Sequence, residues 1–243
     1  MLRRVKTDLH IHTCLSPCGE LNLSPRGIVK MAKEKDIEII GICDHNSAEN
    51  IPALIAAGER FSLSVIPGIE VTTKEEIHLL ALFGRAEAAF NLQEKIYEHL
   101  PGENNPELYG LQVVVNEEGE VLRFNTHLLI GATTLSLEET VSLIHELGGL
   151  AIASHIDREA FSLIGQLGFI PPGLALNGLE VSPRLSVAEA RKKFPGQYPL
   201  LTFSDAHDLK EIGTATTSFL MTDLTFEEIV LSLQQRGGRK ILN

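Results

Sequence analysis

Short apolar runs rich in β-branched residues alternate with helical patterns along most of this chain. The runs predict strands at about 5–12, 37–43, 64–71, 77–83, 149–155, 177–181, 200–204 and 215–221. Strands joined by crossover helices lie side by side in parallel, so this alternation is typical of a largely parallel α/β sheet or barrel. The pattern predicts an α/β fold formed by the whole chain, residues 1–243, as a single domain.

Residues that favour helix starts mark four of the predicted helices. Ser24 can cap a helix whose first residue is Pro25, and Ser47 can cap a second helix. Two further pairs have the spacing of a capping box, Ser136 with Glu139 and Thr225 with Glu228.

The stretch from about 85 to 133 departs from the alternation of strands and helices. It contains a helix through Tyr97, the polar segment PGENNPELYG and two strand-like runs that flank residues 116–119. These runs predict a hairpin inserted into the main fold. Its role is left open between a lid, a substrate-specificity element, a dimer contact and plain scaffold.

The composition is that of a globular protein with a core, since 44% of the residues are hydrophobic. The basic N-terminus turns polar where a signal peptide would be apolar, and the apolar runs are far shorter than the roughly 20 residues that cross a bilayer. We therefore expect a cytoplasmic protein without membrane contact. The net charge of −11 argues against an extended nucleic-acid interface, which needs clustered Lys and Arg, and favours small or terminal substrates.

The segment from Asp8 to His12 alternates polar and apolar residues. Side chains two residues apart in a strand lie on the same face, so His10 and His12 point into one space while Leu9 and Ile11 pack on the other side. Two imidazoles placed in this way form a good metal chelate.

Other predicted strands carry metal-binding residue types at or near their ends. These residues are Asp44 and His45, Glu70, His78, His155, and Asp205 with His207. In barrel enzymes the carboxyl ends of the strands meet at one mouth, and burying so many ionisable groups there without cations would be costly. The residues therefore predict a centre of several metal ions. Nitrogen and oxygen ligands suit zinc, manganese or iron, and such a centre suits hydrolysis.

The ordered motifs DLHIHT, CDHN, GIEV followed by EEIH, ASH and FSDAH closely resemble those of the PHP superfamily, the polymerase and histidinol phosphatase domain. The resemblance implies a distorted (β/α)7 barrel with two or three divalent metal ions at the C-terminal mouth of its strands, and hydrolysis of phosphate esters. It also implies the ligands: His10, His12, Glu70 and Asp205 for a first ion, Glu70, His78 and His155 for a second, and His45 with His207 for a third.

One position departs from the family pattern, because Cys18 stands where a histidine often follows the two histidines of the first motif. A thiolate can replace an imidazole, so Cys18 is predicted to bind the third ion and to favour zinc or iron there. The alternative is a small buried thiol beside a turn. Cys14 and Cys43 are expected to be reduced, since three cysteines near the N-terminus do not form a disulfide framework.

The remaining candidates support the ligands or bind substrate. Asp44 could orient a ligand or a coordinated water, and with Asp205 and His207 it completes the predicted catalytic set. Arg158 and Arg184 could bind a substrate phosphate through their guanidinium groups. Three histidines outside the motifs are expected to be structural, His99, His127 and His145.

Together these features predict a metal-dependent phosphoesterase whose partner is a small phosphorylated substrate, either a phosphomonoester or a nucleotide-type phosphodiester. Metal coordination would lower the pKa of a bridging water towards 7 and so supply hydroxide at neutral pH. Three alternatives stay open: a 3′–5′ exonuclease of the PHP type, a histidinol phosphatase and a non-catalytic metal-binding module. The oligomeric state is not predicted.

Overall fold

A curled nine-stranded sheet forms the frame of the protein. The computed structural model describes residues 1–194, 196 and 198–242. The strands are β1 (Arg3–Ile11), β2 (Ile39–Ile42), β3 (Ser64–Thr72), β4 (His78–Leu82), β5 (Val113–Val115), β6 (Val121–Phe124), β7 (Leu150–Ala153), β8 (Gly178–Val181), β9 (Leu200–Thr202), β10 (Thr217–Met221) and β11 (Lys240–Leu242). The helices are α1 (Pro25–Glu34), α2 (Ile51–Arg60), α3 (Ala86–Glu98), α4 (Pro106–Tyr109), α5 (Leu137–Glu146), α6 (Leu163–Leu167), α7 (Val187–Lys193) and α8 (Phe226–Leu233).

The strand order of the large sheet is β11-β10-β1-β2-β3-β4-β7-β8-β9. Neighbours are parallel from β1 to β3 and from β7 to β9, whereas β4 is antiparallel to both β3 and β7. The residues after β9 return to β1 through a bridge between Ile11 and Ala206, where the His12 backbone N–H donates to the Ala206 carbonyl over 3.1 Å. The sheet therefore curls towards a barrel, and the predicted α/β barrel fold is confirmed.

The two faces of the sheet belong to two separate hydrophobic layers. The inner layer contains side chains such as Leu9, Ile66 and Leu80, and α8 packs against it. The outer layer contains the alternate residues of the same strands, and α1, α2, α3 and α5 cover it. This alternation follows from the period of two along a strand, and it places the inner-face residues of every strand inside the curl. The expectation that Leu9 and Ile11 pack on one face is wrong: the register of β1 against β2 is irregular between Asp8 and Ile11, and Leu9 packs in the inner layer while Ile11 packs in the outer one.

The inner face changes from apolar to polar towards one end of the curl. Towards this end the inner residues of β3 are, in order, Ile66, Gly68 and Glu70. Those of the antiparallel β4 are Leu82, Leu80 and His78 in the same direction. The space between them is narrow, since a Cβ added at Gly68 would lie 2.8 Å from Cys43 Sγ and 2.9 Å from Leu82 Cδ2. The apolar end is thus closed by packing, and the polar end forms an open mouth.

The capping residues give a mixed outcome. Ser24 accepts from Gly27 N at the start of α1, and Ser136 with Glu139 forms a complete capping box on α5, so both predictions are confirmed. The prediction for Ser47 is wrong, because α2 starts later and the Ser47 hydroxyl instead contacts Gln93 Oε1 and the Tyr97 hydroxyl. In the second predicted capping box, Thr225 caps α8, but the Glu228 carboxylate contacts Arg239 instead of the backbone of Thr225. No helix within the described residues has the length and apolar composition that a membrane span requires.

The segment expected to be inserted, residues 85–133, contains α3, α4 and a hairpin of β5 and β6. The hairpin forms its own two-stranded sheet. Asn50 fixes it to the start of α2, because its side chain donates to the Val113 carbonyl and accepts from Val115 N, each over 3.0 Å. At the tip, Asn116 Oδ1 accepts from the backbone of Glu118 and Glu120.

Replacing Glu228 with glutamine is expected to lower the free energy of unfolding at pH 7 by about 1.5–3 kcal/mol, as measured by urea denaturation. The nearly buried Glu228 carboxylate accepts from Arg239 Nη2 over 2.6 Å and from Thr222 N over 2.8 Å, and these contacts tie β11 to α8. The Arg239 guanidinium lowers the pKa of Glu228 to about 2.

A depressed folded-state pKa stabilises the protein above the unfolded value and ceases to do so as the pH falls through the folded one. The difference between wild type and Glu228→Gln should therefore be full at pH 6 and shrink between pH 4.5 and pH 2. The exposed neighbour Glu227→Gln is the matched control. Equal stability of Glu228→Gln and wild type at pH 7 would contradict this assignment.

Candidate metal centre

The residues predicted to bind metal converge at the mouth of the curled sheet. His10 lies at the end of β1 with His12 directly after it, Glu70 lies near the end of β3, and His78 begins β4. The others lie in the turns after β1, β2, β7 and β9, at Cys18, His45, His155, Asp205 and His207. Some of these residues form three groups of possible metal ligands. Within each group the ligand atoms all lie within 4.8 Å of one another.

Glu70 is at the centre of the cluster and is 1% exposed. Its Oε2 lies 3.2 Å from His45 Nδ1 and 3.5 Å from His12 Nε2. Its Oε1 faces three further imidazole nitrogens, at 3.4 Å from His10 Nε2, 3.2 Å from His78 Nδ1 and 3.5 Å from His155 Nε2. One carboxylate thus faces five imidazoles, an arrangement that suits a ligand shared by two ions.

Asp205 forms a compact group with the two histidines of β1. Its Oδ1 lies 3.2 Å from His10 Nε2 and 3.1 Å from His12 Nε2, and the two Nε2 atoms are 3.2 Å apart. Together with Glu70 these residues form a buried set of four that could hold one ion.

Hydrogen bonds behind the imidazoles determine which ring nitrogen faces the cluster. His10 donates from Nδ1 to Glu180 Oε2 over 2.9 Å, and His207 donates from Nδ1 to the Asp205 carbonyl over 2.8 Å. Each bond leaves the Nε2 lone pair of the neutral ring available to a cation, as metal coordination by histidine requires.

Asp44 contacts the cluster through Ser16. Its carboxylate accepts from Thr13 N over 2.7 Å, from the Thr13 hydroxyl over 2.8 Å and from the Ser16 hydroxyl over 2.6 Å. Because Ser16 gives its proton to Asp44, Ser16 Oγ accepts the Nδ1 proton of His12 over 2.9 Å. Asp44 therefore lies in a position that orients His12, and its predicted catalytic role stays a prediction.

Cys18 joins a third group of possible ligands with His12, His45 and His207. The residue lies in an exposed turn, yet its sulfur faces the three imidazoles. The His12 and His207 rings stack with their centroids 4.1 Å apart. Burial of the thiol and the nearby carboxylates of Glu70 and Asp205 raise the pKa of Cys18, so a cation would be needed to form its thiolate.

The residues present fit a centre of divalent cations. Among the described residues, buried atoms of the cluster without a hydrogen-bond partner include Glu70 Oε1, His45 Nδ1 and His78 Nδ1. Three buried carboxylates, those of Glu70, Glu180 and Asp205, also converge there. Cations would give the unpaired atoms a partner and offset the buried negative charge.

The protonation states suit metal binding at Glu70, Asp205, His12 and His45 but not at His10. Burial opposes protonation of His10, yet the surrounding carboxylates raise its pKa well above its ordinary value, so this imidazole must release a proton when a cation binds. Burial opposes ionisation of Glu70 and Asp205, but the neighbouring histidines hold the pKa of both carboxyls below its ordinary value. Burial lowers the pKa of His12 to about 4 and the pKa of His45 well below its ordinary value. Ionised carboxylates and neutral imidazoles are the forms that bind metal.

Glu180 is a candidate supporting residue of the cluster that the sequence motifs did not indicate. It is fully buried on β8, and its carboxylate holds His10 Nδ1. A signal was present, because the segment GLEV around Glu180 repeats the pattern of GIEV around Glu70, a lone glutamate inside an apolar strand. Such a carboxylate behind a ligand imidazole sets the orientation and basicity of the ring.

A Glu180→Gln variant is expected to bind divalent metal about 10–100-fold more weakly, because the amide keeps an acceptor for His10 but loses the charge. Metal affinity is measured by titration with a competing chromophoric chelator, and circular dichroism checks the fold. The exposed Glu59→Gln is the matched control. Wild-type metal affinity in Glu180→Gln would contradict this role.

The two arginines predicted to bind substrate lie beside the cluster. Arg158 Nη2 is 2.5 Å from Asp205 Oδ2, and the Arg158 side chain is 36% exposed. Arg184 is exposed in the turn after β8. Both line a cavity of about 710 Å³ that reaches His78 and His155, and both line a second cavity of about 420 Å³ that reaches Asp205 and His207.

Three histidines make contacts away from the cluster. His99 Nδ1 lies 2.9 Å from the Thr134 hydroxyl, and the His127 ring stacks on Tyr97. His145 donates from Nε2 to the Ala175 carbonyl over 2.7 Å. These contacts agree with the structural role expected for His99, His127 and His145.

A curled α/β barrel with histidines and carboxylates at its mouth is typical of metal-dependent hydrolases. The particular family follows from comparison with known proteins. The family model "PHP domain" matches residues 8–161, so the chain belongs to the PHP family, whose wider superfamily consists of metal-dependent phosphoesterases and nucleases.

Proteins with related sequences or structures match most of this chain. An uncharacterised protein of Methanocaldococcus jannaschii is 29% identical over 185 residues, which cover 73% of this chain and 81% of that protein. The lesion-specific endonuclease Q of Pyrococcus furiosus superposes with a TM-score of 0.77 and 22% identity over 98% of this chain. This chain spans 58% of the length of that endonuclease. Endonuclease Q in complex with a 27-mer duplex, with an abasic lesion at its active site, superposes with a TM-score of 0.73, 22% identity and the same coverage of both chains.

The expectation of a small phosphorylated partner, with little contact to extended nucleic acid, is wrong. Endonuclease Q forms a complex with a 27-mer duplex that has an abasic lesion at the active site, and 98% of this chain superposes on 58% of that protein. The error lies in the use of the net charge of −11, which averages over the whole surface. Arginines and cations at the mouth of a barrel set the local potential that a phosphate experiences.

Proposed function

We propose that this protein is a metal-dependent nuclease that hydrolyses phosphodiester bonds in DNA. The observation that carries the proposal is a pair of cavities beside the cluster that share Arg158, Ser182 and Arg184. Together the cavities border the cluster from His155 to His207, and such an extended site suits the continuous backbone of a strand. The structural similarity to endonuclease Q over nearly the whole chain supports the same class of substrate.

The proposed ligand sets follow the family resemblance, and the short distances among these residues support them. His10, His12, Glu70 and Asp205 would hold one ion, Glu70 with His78 and His155 a second, and Cys18, His45 and His207 a third. Bound zinc, manganese or iron would lower the pKa of a water molecule and offset charge on the phosphoryl oxygens.

The protein's own side chains would bind and orient the scissile phosphate. Arg158 has five N–H donors and can donate to a phosphate while it keeps Asp205, and Arg184 can donate from the same pair of cavities. Asp205 and His207 border the smaller cavity in which the arginines would hold the phosphate. We therefore assign Asp205 and His207 to the catalytic step, and Asp44 to the orientation of His12.

The substrate class is tested with the metal-loaded protein and strands labelled at both ends. The panel contains a duplex with one abasic site, the same duplex without the lesion, a single strand and a closed circular single strand. We expect internal cleavage of at least one DNA substrate, with the lesion duplex cut fastest. Failure to cut any of these strands at full metal occupancy would overturn the proposal, and products released only from strand ends would show an exonuclease instead.

An Arg184→Gln variant is expected to raise the KM for DNA about tenfold and to reduce the slope of log KM against log salt by about one, because one phosphate contact is lost. Arg85→Gln is the matched control, since exposed Arg85 follows β4 at the closed end of the barrel. A KM and a salt slope equal to those of the wild type would remove Arg184 from the binding site.

A further inference from the structure

Phe161 is an exposed aromatic residue beside the metal cluster. It is 42% exposed and lines the larger cavity together with Arg158 and Arg184. Its ring stacks on the His78 ring, with the centroids 4.8 Å apart and the planes 21° apart. The ring is therefore supported on the side of His78 and accessible from the cavity.

The backbone of Phe161 has a strained conformation. Its φ of 55° lies in the left-handed region, which is unfavourable for a bulky side chain by about 1–3 kcal/mol. The Phe161 carbonyl accepts from His78 N over 3.0 Å, and the next residue, Ser162, caps α6. The strained residue is thus fixed by β4 on one side and by α6 on the other, while its ring stays exposed to solvent. Such a strained, exposed residue suggests a function in binding.

We propose that Phe161 is a stacking platform for one unpaired nucleobase of the strand whose phosphate lies over the metal centre. This inference rests on the proposed nuclease function and adds a determinant of specificity to it. Aromatic side chains bind bases through their π-faces, largely independent of sequence. A paired base inside a duplex has both faces covered, so the platform selects a base that is unpaired or turned out of the helix.

The size of the cavity and its two arginines agree with a nucleotide as the occupant. Asp157 and Glu159 also line the cavity, and the Asp157 carboxylate accepts hydrogen bonds from the backbone N–H and the hydroxyl of Ser182. A volume of about 710 Å³ lies within the range of sites for small organic ligands. The ring of Phe161 offers a face for the base, and the two arginines offer donors for the phosphate attached to it.

The competing role for Phe161 is to cover His78 and keep the ligand in place. Leucine separates the two roles, because it retains an apolar cover over His78 but has no π-face. For a Phe161→Leu variant we expect the KM for a base-bearing single strand to rise by about 5- to 150-fold, the loss typical of one stacked base. Its kcat and bound metal should stay unchanged, and Phe161→Tyr should restore the KM.

Direct contact is tested by fluorescence, because the chain contains no tryptophan and Phe161→Trp introduces a single one. The metal-loaded variant is mixed rapidly with a short single strand and, separately, with the same strand abasic at every position. We expect quenching of the tryptophan by the base-bearing strand alone, since stacking requires a base.

The outcomes separate the stacking role of Phe161 from the proposed nuclease function. The platform is overturned if Phe161→Leu keeps the wild-type KM, if it loses metal, or if the tryptophan responds equally to both strands. Failure of the wild-type protein itself to bind and cut any strand would instead overturn the proposed nuclease function.

Discussion

A Glu70→Gln variant is expected to cut DNA roughly a thousandfold or more slowly than the wild type and to bind less metal. The two oxygens of Glu70 face five imidazoles, so its charge serves more than one of the proposed ions. Glutamine has nearly the same shape, but it offers a neutral oxygen and an amide group that repels cations. The loss should therefore arise from metal binding with the fold intact.

The measurement combines cleavage kinetics with elemental analysis of the bound metal. Glu98→Gln is the matched control, because Glu98 is exposed and contacts only Lys95 among the ion pairs of the described residues. Wild-type metal content in Glu70→Gln would show that this carboxylate is not a ligand.

Removal of the divalent ions with a chelator is expected to lower the melting temperature by roughly 10 °C. A site filled at about a thousand times its dissociation constant stabilises a protein by about 4 kcal/mol. For a chain of this size each kcal/mol corresponds to roughly 2–4 °C. The physical cause is the buried negative charge of Glu70, Asp205 and Glu180, which loses its counter-ions.

Scanning calorimetry before and after chelation gives the shift, and re-addition of zinc or manganese should reverse it. The Glu70→Gln variant provides an internal control, since its melting temperature should respond much less to the chelator. An identical melting temperature of the wild type with and without chelator would contradict a structural contribution of the ions.

Much of the fold could be predicted because the strands are short, apolar and separated by clear breaks. All eight predicted strands are present with small differences at their ends. The short C-terminal β11 and the antiparallel directions of β4 and β10 were not anticipated. The direction of β4 matters for the site. His78 stands at the beginning of its strand, and it reaches the mouth because β4 runs opposite to its neighbours.

The positions of most candidate ligands were predictable because they lie at or near strand ends, whereas Cys18 was predicted from its place in the family pattern. Their partners were not predictable from the sequence in the same way. Glu180 reaches His10 from a strand 170 residues away, and Asp44 reaches His12 only through Ser16. Such contacts depend on the register of the curled sheet, which local patterns do not determine.

The substrate was the part that composition predicted wrongly. A net charge of −11 describes the whole surface, while Arg158 and Arg184 stand together at the mouth. Phe161 was not singled out either, because an isolated aromatic residue in a loop has no pattern of its own. Its meaning comes from the neighbouring His78 ring and from the positive φ.

The central claim is that ions held by this cluster hydrolyse DNA, and one titration tests it most directly. Chelator-treated protein receives increasing amounts of manganese or zinc, and bound metal and cleavage of the abasic-site duplex are measured in the same samples. We predict no cleavage without metal and a rise that saturates at two or three bound ions per chain. Cleavage that is complete before any ion binds, or that is absent when all sites are filled, would contradict the claim.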